Sequence, residues 1–307
     1  MKRVLFTGDI NVDVMMGGLE CFPVLNREIT CESFEVTMGS SAVIAACAYA
    51  SLGGNAAFLG LAGEDDYGAF MLKGMQGFGI DTGRVRRTTR VRTGVTVNLT
   101  LDDTRTQITY PGAISEFEAS DLDVSDFQGI DHLHFAGPYQ QTKFRPEIAR
   151  ILKLAAELGI TTSLDPQWDA SERWEGMVAW LPLLSYLFVN EDEALSIAKA
   201  ETPEAACQAL AGRTACPVVK AGRAGSLLPI DGQVTPIPTR EIDPVDTTGA
   251  GDAFAAGFLF AVLEKEMNLP DAARFGNAVG ARSCLFVGGV NARSTYDDIV
   301  AFMEETK

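Results

Sequence analysis

The amino-acid sequence predicts an α/β fold, with a mainly parallel central sheet flanked by helices and a small β-sheet lid beside it. Three observations predict it. Short apolar runs alternate with longer segments of helical period along most of the chain. Two stretches, residues 14–38 and 91–112, break that alternation and read as exposed strand. Polar residues also gather just past strand ends, where open α/β sheets place their ligands. The expected division is a core of residues 1–13, 39–90 and 113–307, with residues 14–38 and 91–112 as the lid.

Composition narrows the function classes. The chain has 307 residues, 47% hydrophobic and 21% charged, which excludes disorder and supplies a sizeable core. Forty-one acidic against 25 basic residues give a net charge of −16, which disfavours nucleic acid and anionic membranes as partners. An anionic substrate needs a local reversal of that field. The six cysteines form no CxxC pair, and two histidines do not complete a zinc site with them. Reduced thiols in a cytoplasmic protein are expected. The apolar run behind Met1-Lys2-Arg3 is too short for a signal peptide, and the run from Ala253 to Leu263 is too short to span a bilayer.

The elements follow in order. Val4-Leu5-Phe6-Thr7-Gly8 reads as a buried strand, followed by Asp9, Asn11 and Asp13. Ile29 to Val36 reads as an irregular exposed strand. From Ser40 to Gly54 a helix of small residues ends at a glycine stop. A strand at Ala56–Leu61 and a helix at Tyr67–Phe78 come next. Thr93–Leu101 and Gln107–Tyr110 alternate around a turn at Asp102-Asp103, giving a hairpin with one exposed face. Strands are then expected at His132–Phe135, Thr161–Leu164, Tyr186–Val189 and Pro217–Val219, and a second hairpin at Ser226–Ile237. Helices are expected at Phe144–Leu158, Glu191–Ala198, Pro203–Ala211, Ala250–Lys265, Pro270–Cys284 and Thr295–Glu305.

The strongest chemical signal is Asp246-Thr247-Thr248-Gly249-Ala250-Gly251-Asp252 ahead of a helical run. With no bulky side chains at Gly249, Ala250 and Gly251, successive N–H groups can close on an anion, and the helix dipole adds to their field. The stretch is neither a Walker A motif nor a dinucleotide fingerprint. Asp252, in the first helical turn, would repel phosphate unless its task concerns protons. A carboxylate beside a γ-phosphoryl group is what a kinase uses to orient and deprotonate an acceptor hydroxyl.

This run resembles the C-terminal signature of the ribokinase-like, or PfkB, carbohydrate kinase family. Gly39-Ser40-Ser41-Ala42-Val43-Ile44-Ala45-Ala46 through Gly54 resembles the family's N-terminal signature, Asn190-Glu191-Asp192-Glu193 its N-x-x-E motif, and Asn11-Val12-Asp13 its early substrate-binding aspartate. The resemblance covers essentially the whole chain and implies a ribokinase-like fold and an ATP-dependent carbohydrate kinase. It implies Asp252 as catalytic base and Gly249, Ala250 and Gly251 as anion hole. Asn190 and Glu193 would arrange Mg²⁺ and its waters, Glu193 reaching the metal through water. Asp13 would hold acceptor hydroxyls, with Gly39, Ser41 and Asn98 in the same crevice. Lys220, Gly222 and Gly225 would line the triphosphate or ribose, and Asn277 the base. Asp246 and Thr248 are the positions at which several members hold a monovalent cation, here potassium.

The chain departs from the family at two positions. Ser40 replaces the second glycine of the N-terminal signature, and Ile44 replaces an asparagine that contacts the sugar. Ile44 either packs in the core or gives the acceptor pocket an apolar wall. Asp9 reads as a turn cap, and Asp121, Asp123 and Asp126 as solvated surface. His132 and His134 share a strand face without a third metal ligand and read as polar residues near the crevice. The expectation is a cytoplasmic sugar or polyol kinase, homodimeric through its β lid. A nucleoside kinase on the same scaffold and an inactive nucleotide- or sugar-binding regulator are the alternatives.

Overall fold

The computed structural model describes residues 1–101 and 104–305, so the turn expected at Asp102-Asp103 lies outside the described residues, as does the side chain of Asp121. Two sheets organise the chain. Strand β1 (Arg3–Thr7) leads into β2 (Asn11–Gly17) and β3 (Ser33–Met38), then helix α1 (Ser41–Ser51). β4 (Asn55–Gly63), α2 (Asp66–Gly77) and β5 (Asp81–Thr88) follow, then β6 (Gly94–Leu101) and β7 (Thr104–Tyr110). After the single turn α3 (Ala113–Glu116) come β8 (His132–Ala136), α4 (Ile148–Glu157), β9 (Thr161–Asp165), the single turn α5 (Met177–Trp180) and β10 (Tyr186–Asn190). The last part runs α6 (Glu191–Ala198), α7 (Pro203–Ala211), β11 (Pro217–Lys220), β12 (Ser226–Ile230), β13 (Gln233–Ile237), α8 (Ala250–Lys265), α9 (Leu269–Ser283) and α10 (Tyr296–Glu304).

The large sheet has the order β13-β12-β11-β10-β9-β8-β1-β4-β5. From β11 to β5 every pairing is parallel, and β12 and β13 add an antiparallel end. Helices cover both faces, which is why β1, β4, β10 and β11 are largely apolar runs. Val4 and Phe6 point into the layer holding α1, α8 and α9, and Leu5 points into the layer holding α4, α6 and α7. α8 is almost wholly small or aromatic and lies buried between α1 and α9.

His132 and His134 do not line an open crevice as expected. Both are fully buried within the sheet. Each has a ring nitrogen 2.8 Å from Ser163 Oγ, and His132 is also 2.8 Å from Thr161 Oγ1. Burial pushes both imidazoles down, to about 3 for His132 and about 4 for His134, so both are neutral.

β5 is a strand that apolar periodicity does not announce, because Asp81-Thr82-Gly83-Arg84-Val85-Arg86-Arg87-Thr88 is polar. It is an edge strand, and its arginines reach solvent or neighbouring acids. Arg86 grips both oxygens of Asp126 at 2.8 and 2.7 Å. Asp126 is therefore buried and paired rather than solvated, and it closes a capping box with Asp123.

The smaller sheet has the order β3-β2-β6-β7, with β2 and β6 parallel and the other pairs antiparallel. It begins at Asn11, three residues before the boundary expected at 14, and its third-strand partner starts at Ser33 rather than Ile29. Its register fixes two unlike faces. Asn11, Asp13, Thr96 and Asn98 share one; Val14, Phe34, Val36, Val97 and Ile108 share the other, where Phe34 and Ile108 are 65% and 63% exposed.

Candidate active site

The carboxyl ends of β1, β8, β9, β10 and β11 open toward the N-terminus of α8. Gly249 precedes that helix in the left-handed region, at φ 76°. A side chain there would be strained, and its Cβ would stand 2.9 Å from Ile44 Cγ2. Gly251 is held less tightly: a Cβ on it would lie 3.0 Å from Lys220 Nζ, the mobile end of that side chain. Ile44 is thus buried behind the turn, wedged against Gly249 and Gly289, and presents no apolar wall to a ligand.

Asp252 sits one residue beyond Gly251, 8% exposed. Burial raises its carboxyl well above the ordinary range, and the charge of Asp165 adds to this, opposed by Lys220. It takes hydrogen bonds from the Ser41 hydroxyl and, at 3.3 Å, from Gln167 Nε2. The same Gln167 nitrogen is 3.3 Å from Asp165 Oδ1. Gln167 holds φ 56°, a strained conformation of the kind that collects at functional sites.

Lys220 ends β11 and donates to Asp165 Oδ2 at 2.6 Å. Burial alone would lower its pKa, but Asp165, Glu193 and Asp252 outweigh burial and hold the ammonium above its usual value. Asn190 and Glu193 form the capping box of α6: Glu193 N donates to Asn190 Oδ1 at 2.8 Å, and Asn190 N to Glu193 Oε2 at 2.9 Å. Glu193 is nonetheless buried against Asp165 and Lys220, and burial lifts it to about 7. Three carboxylates and one ammonium thus surround the α8 turn.

On the other side stands the polar face of the small sheet. Asn11 Nδ2 donates to Asp13 Oδ1 at 3.0 Å and to Thr96 Oγ1 at 3.1 Å. Gly39 passes so close that a Cβ on it would be 2.4 Å from Asp13 Oδ1. Asn98 is 1% exposed; its Oδ1 accepts from Gln107 at 2.6 Å, while its buried Nδ2 has no partner. Asp9 is more than the turn cap expected: its buried carboxylate faces Asp13 and Asp252 electrostatically.

Past the α8 turn lies a cavity of about 420 Å³, lined by Gly222, Arg223, Arg240, Ile242, Thr247 and Cys284 among others. Gly222 lines this cavity in a left-handed conformation, at φ 52°. Gly225 is a turn glycine at φ 98° whose Cβ would strike Ile237 O. Asn277 donates its amide to Ile237 O and Pro238 O at 2.9 and 3.3 Å, and so fixes a cavity-side loop. Asp246 binds Thr248 N and Oγ1 through Oδ1, at 2.9 and 2.7 Å, and Gly288 N through Oδ2 at 2.9 Å. A larger concavity of about 890 Å³, beside Tyr67, Arg90, Arg92 and Tyr110, holds none of these residues.

Asp165 and Gln167 join the site without having been singled out in sequence, and Asn11, named there only as a neighbour of Asp13, joins it through its own side chain. Asp165 follows a predicted strand as Asp9 follows β1, and that position was a usable signal. Asn11 lies two residues from Asp13, on the same strand face. Nothing local announces Gln167, whose place depends on a left-handed turn.

Comparison with known proteins places the chain in a family. A family model described as pfkB family carbohydrate kinase matches residues 1–295. The chain is 31% identical to the ATP-dependent ribose-1-phosphate kinase of Halopiger xanaduensis over 99% of both chains. Its fold is similar to that of a nucleoside kinase from Methanocaldococcus jannaschii (TM-score 0.84, 22% identity, 99% and 98% of the two chains). It is also similar to a fructokinase from Vibrio cholerae solved with fructose, ADP and a potassium ion (TM-score 0.81, 24% identity, 99% of each).

Proposed function

The chain belongs to the pfkB family of carbohydrate kinases and is an ATP-dependent carbohydrate kinase, and from that premise we propose how its own residues divide the work. Asp252 is the general base. It takes the proton of an acceptor hydroxyl as that oxygen bonds to the γ-phosphorus and the bond to the β-phosphate oxygen breaks, releasing ADP. The N–H groups of Gly249, Ala250 and Gly251, with the Lys220 ammonium, stabilise charge on the transferring oxygens. Asp13 accepts from acceptor hydroxyls, with Gly39 giving it room and Ser41 and Asn98 beside it. The 420 Å³ cavity around Gly222 takes the nucleoside part of ATP, and Asn277 shapes its wall.

The single observation that carries this reading is the place of Asp252: a buried carboxylate in the first turn of α8, directly after Gly249-Ala250-Gly251 and within electrostatic reach of Lys220 and Asp9. Among the described residues no three carboxylates are grouped closely enough to hold a bare cation, and Lys220 already donates to Asp165, which suits a hard cation that keeps its waters and reaches the protein through them. Glu193, oriented by Asn190, would hold Mg²⁺ through water; the chemistry the metal supplies is neutralisation of phosphoryl charge. The Asp246–Thr248 loop is proposed for potassium, in line with the fructokinase above.

The small sheet is proposed as a lid that closes over the crevice and excludes water. Its opposite face, with Phe34 and Ile108 exposed, is proposed to meet a second copy of the chain as a homodimer. Among the described residues no helix is long and apolar enough to cross a membrane, and a cytoplasmic location is proposed.

The test is turnover of ATP with ribose, fructose, ribose 1-phosphate and a nucleoside, in wild type and Asp252→Asn. Asp252→Asn should retain ATP binding and lose about 10²–10⁴-fold in turnover. Turnover within tenfold of wild type in a folded variant would refute the base assignment. Sedimentation reads the oligomeric state, and a monomer at micromolar concentration would refute the dimer.

A further inference from the structure

Asp9 stands just past β1, in the middle of the large sheet, 9% exposed. Its neighbour across the crevice floor, Ser40, holds φ 75° and ψ 125°, a backbone conformation unfavourable for a residue with a Cβ. The Ser40 hydroxyl accepts from Val43 N at 3.2 Å and lies 2.7 Å from Asp9 O and 3.0 Å from Asp9 Oδ1. A hydroxyl has one proton to give, and the Asp9 carbonyl is the nearer acceptor. Any residue at position 9 would supply that carbonyl. The brace on Ser40 therefore does not require a carboxylate.

The carboxylate is also costly where it is. Burial, with a smaller contribution from the charge of Asp13, holds it up at about 6. Protein partners for the side chain are the Ser40 hydroxyl and the Asp9 backbone N–H. A carboxylate has about four acceptor positions, so half of its capacity is left for another donor. Oδ1 lies 3.4 Å from where a Cβ on Gly137 would sit, so the bare glycine leaves the approach from β8 open. From this position Asp9 acts electrostatically on both Asp13 and Asp252. Meanwhile Ile44 is turned behind the α8 turn and gives the acceptor nothing polar.

We propose that Asp9 is a specificity-determining residue of the acceptor site, accepting a hydrogen bond from an uncharged hydroxyl or an ammonium group of the acceptor. This rests on the kinase reading above. With Asp9, Asp13 and Asp252 converging, the end of the acceptor that enters here is a neutral polyol or an amine. A phosphate or carboxylate on the acceptor would be held away from β1, since three carboxylates repel it.

The experiment measures KM and kcat for the acceptor that wild type turns over best among ribose, fructose, ribose 1-phosphate and a nucleoside. It compares wild type, Asp9→Asn and Asp9→Ser, each also in a Ser40→Gly background that relieves the strained backbone. Both changes at position 9 should raise the acceptor KM about 10–100-fold, with kcat within a few-fold and the KM for ATP unchanged. The same rise should persist with glycine at position 40. If the rise vanishes there, Asp9 only braces Ser40 and the proposal is wrong. An unchanged acceptor KM, or a parallel rise in the KM for ATP, overturns it equally. Wild type inactive on the whole panel would count against the kinase reading itself.

Discussion

Ile44 lies directly behind Gly249: a Cβ on Gly249 would stand 2.9 Å from Ile44 Cγ2 and 3.2 Å from its Cδ1. The Ile44 Cδ1 also fills the space in front of Gly289, where a Cβ would be only 2.5 Å away. The residue that departs from the family's asparagine therefore packs against the turn that opens α8.

Ile44→Asn should for that reason weaken turnover on every acceptor by a similar factor. The amide would be buried without a partner at a cost of about 1–3 kcal/mol, felt in both the melting temperature and the geometry of the turn. Steady-state kinetics on two acceptors, alongside thermal unfolding, checks this. A selective gain on ribose or fructose would show instead that position 44 reaches the acceptor.

The Lys220–Asp165 pair gives a second prediction. Its side chains are 14% and 1% exposed, so removing Lys220 leaves buried carboxylates without their ammonium, and removing Asp165 takes away the group that accepts its hydrogen bond. Asp165→Asn should cost about 3–5 kcal/mol of stability, while Asp165→Asn combined with Lys220→Met should cost less than the sum of the two single changes. Denaturant unfolding of the four proteins measures the coupling. Additive losses would mean that the two groups do not act as a pair.

Asn190 and Glu193 cap α6, and the magnesium role proposed for them can be separated from that cap. Glu193→Gln keeps an oxygen for the Asn190 N–H, so the cap and the stability should survive. The Mg²⁺ concentration for half-maximal activity should rise about 10–100-fold. Asn190→Ala should instead cost about 1 kcal/mol through the lost cap. A Mg²⁺ titration unmoved in Glu193→Gln would leave Glu193 with the cap alone.

The two histidines are the only ones in the chain, so their imidazole signals are easily assigned. An unfolded imidazole titrates near about 6.5; buried, His132 and His134 are held at about 3 and about 4. Between those values the unfolded chain takes up protons that the fold excludes, so these residues lower stability as pH falls from 6.5 toward 4. Asp9 and Glu193, raised to about 6 and about 7, bind protons in the folded state and act in the opposite sense. Nitrogen-15 spectra at pH 5.5 should therefore show two neutral rings in the folded protein. An imidazolium signal there would contradict the burial argument.

The amino-acid sequence by itself determined the α/β class, the position of most helices and strands, and that the run from Asp246 to Asp252 opens a helix. Those features are written locally: apolar period, a glycine stop, and small residues that must expose backbone N–H groups ahead of a helix. Tertiary structure alone decided the rest. β5 is a strand because an edge position tolerates its arginines, and the small sheet starts at Asn11 because β6 lies parallel beside it. Whether Ile44 faces a ligand or the core is not encoded in its hydrophobicity, since either face of α1 accepts an apolar residue; contact with Gly249 and Gly289 settled it. Asp9, Asp165, Glu193, Lys220 and Asp252 are spread over most of the chain. Their common charge balance arises only because parallel strands deliver every carboxyl end to one edge of the sheet.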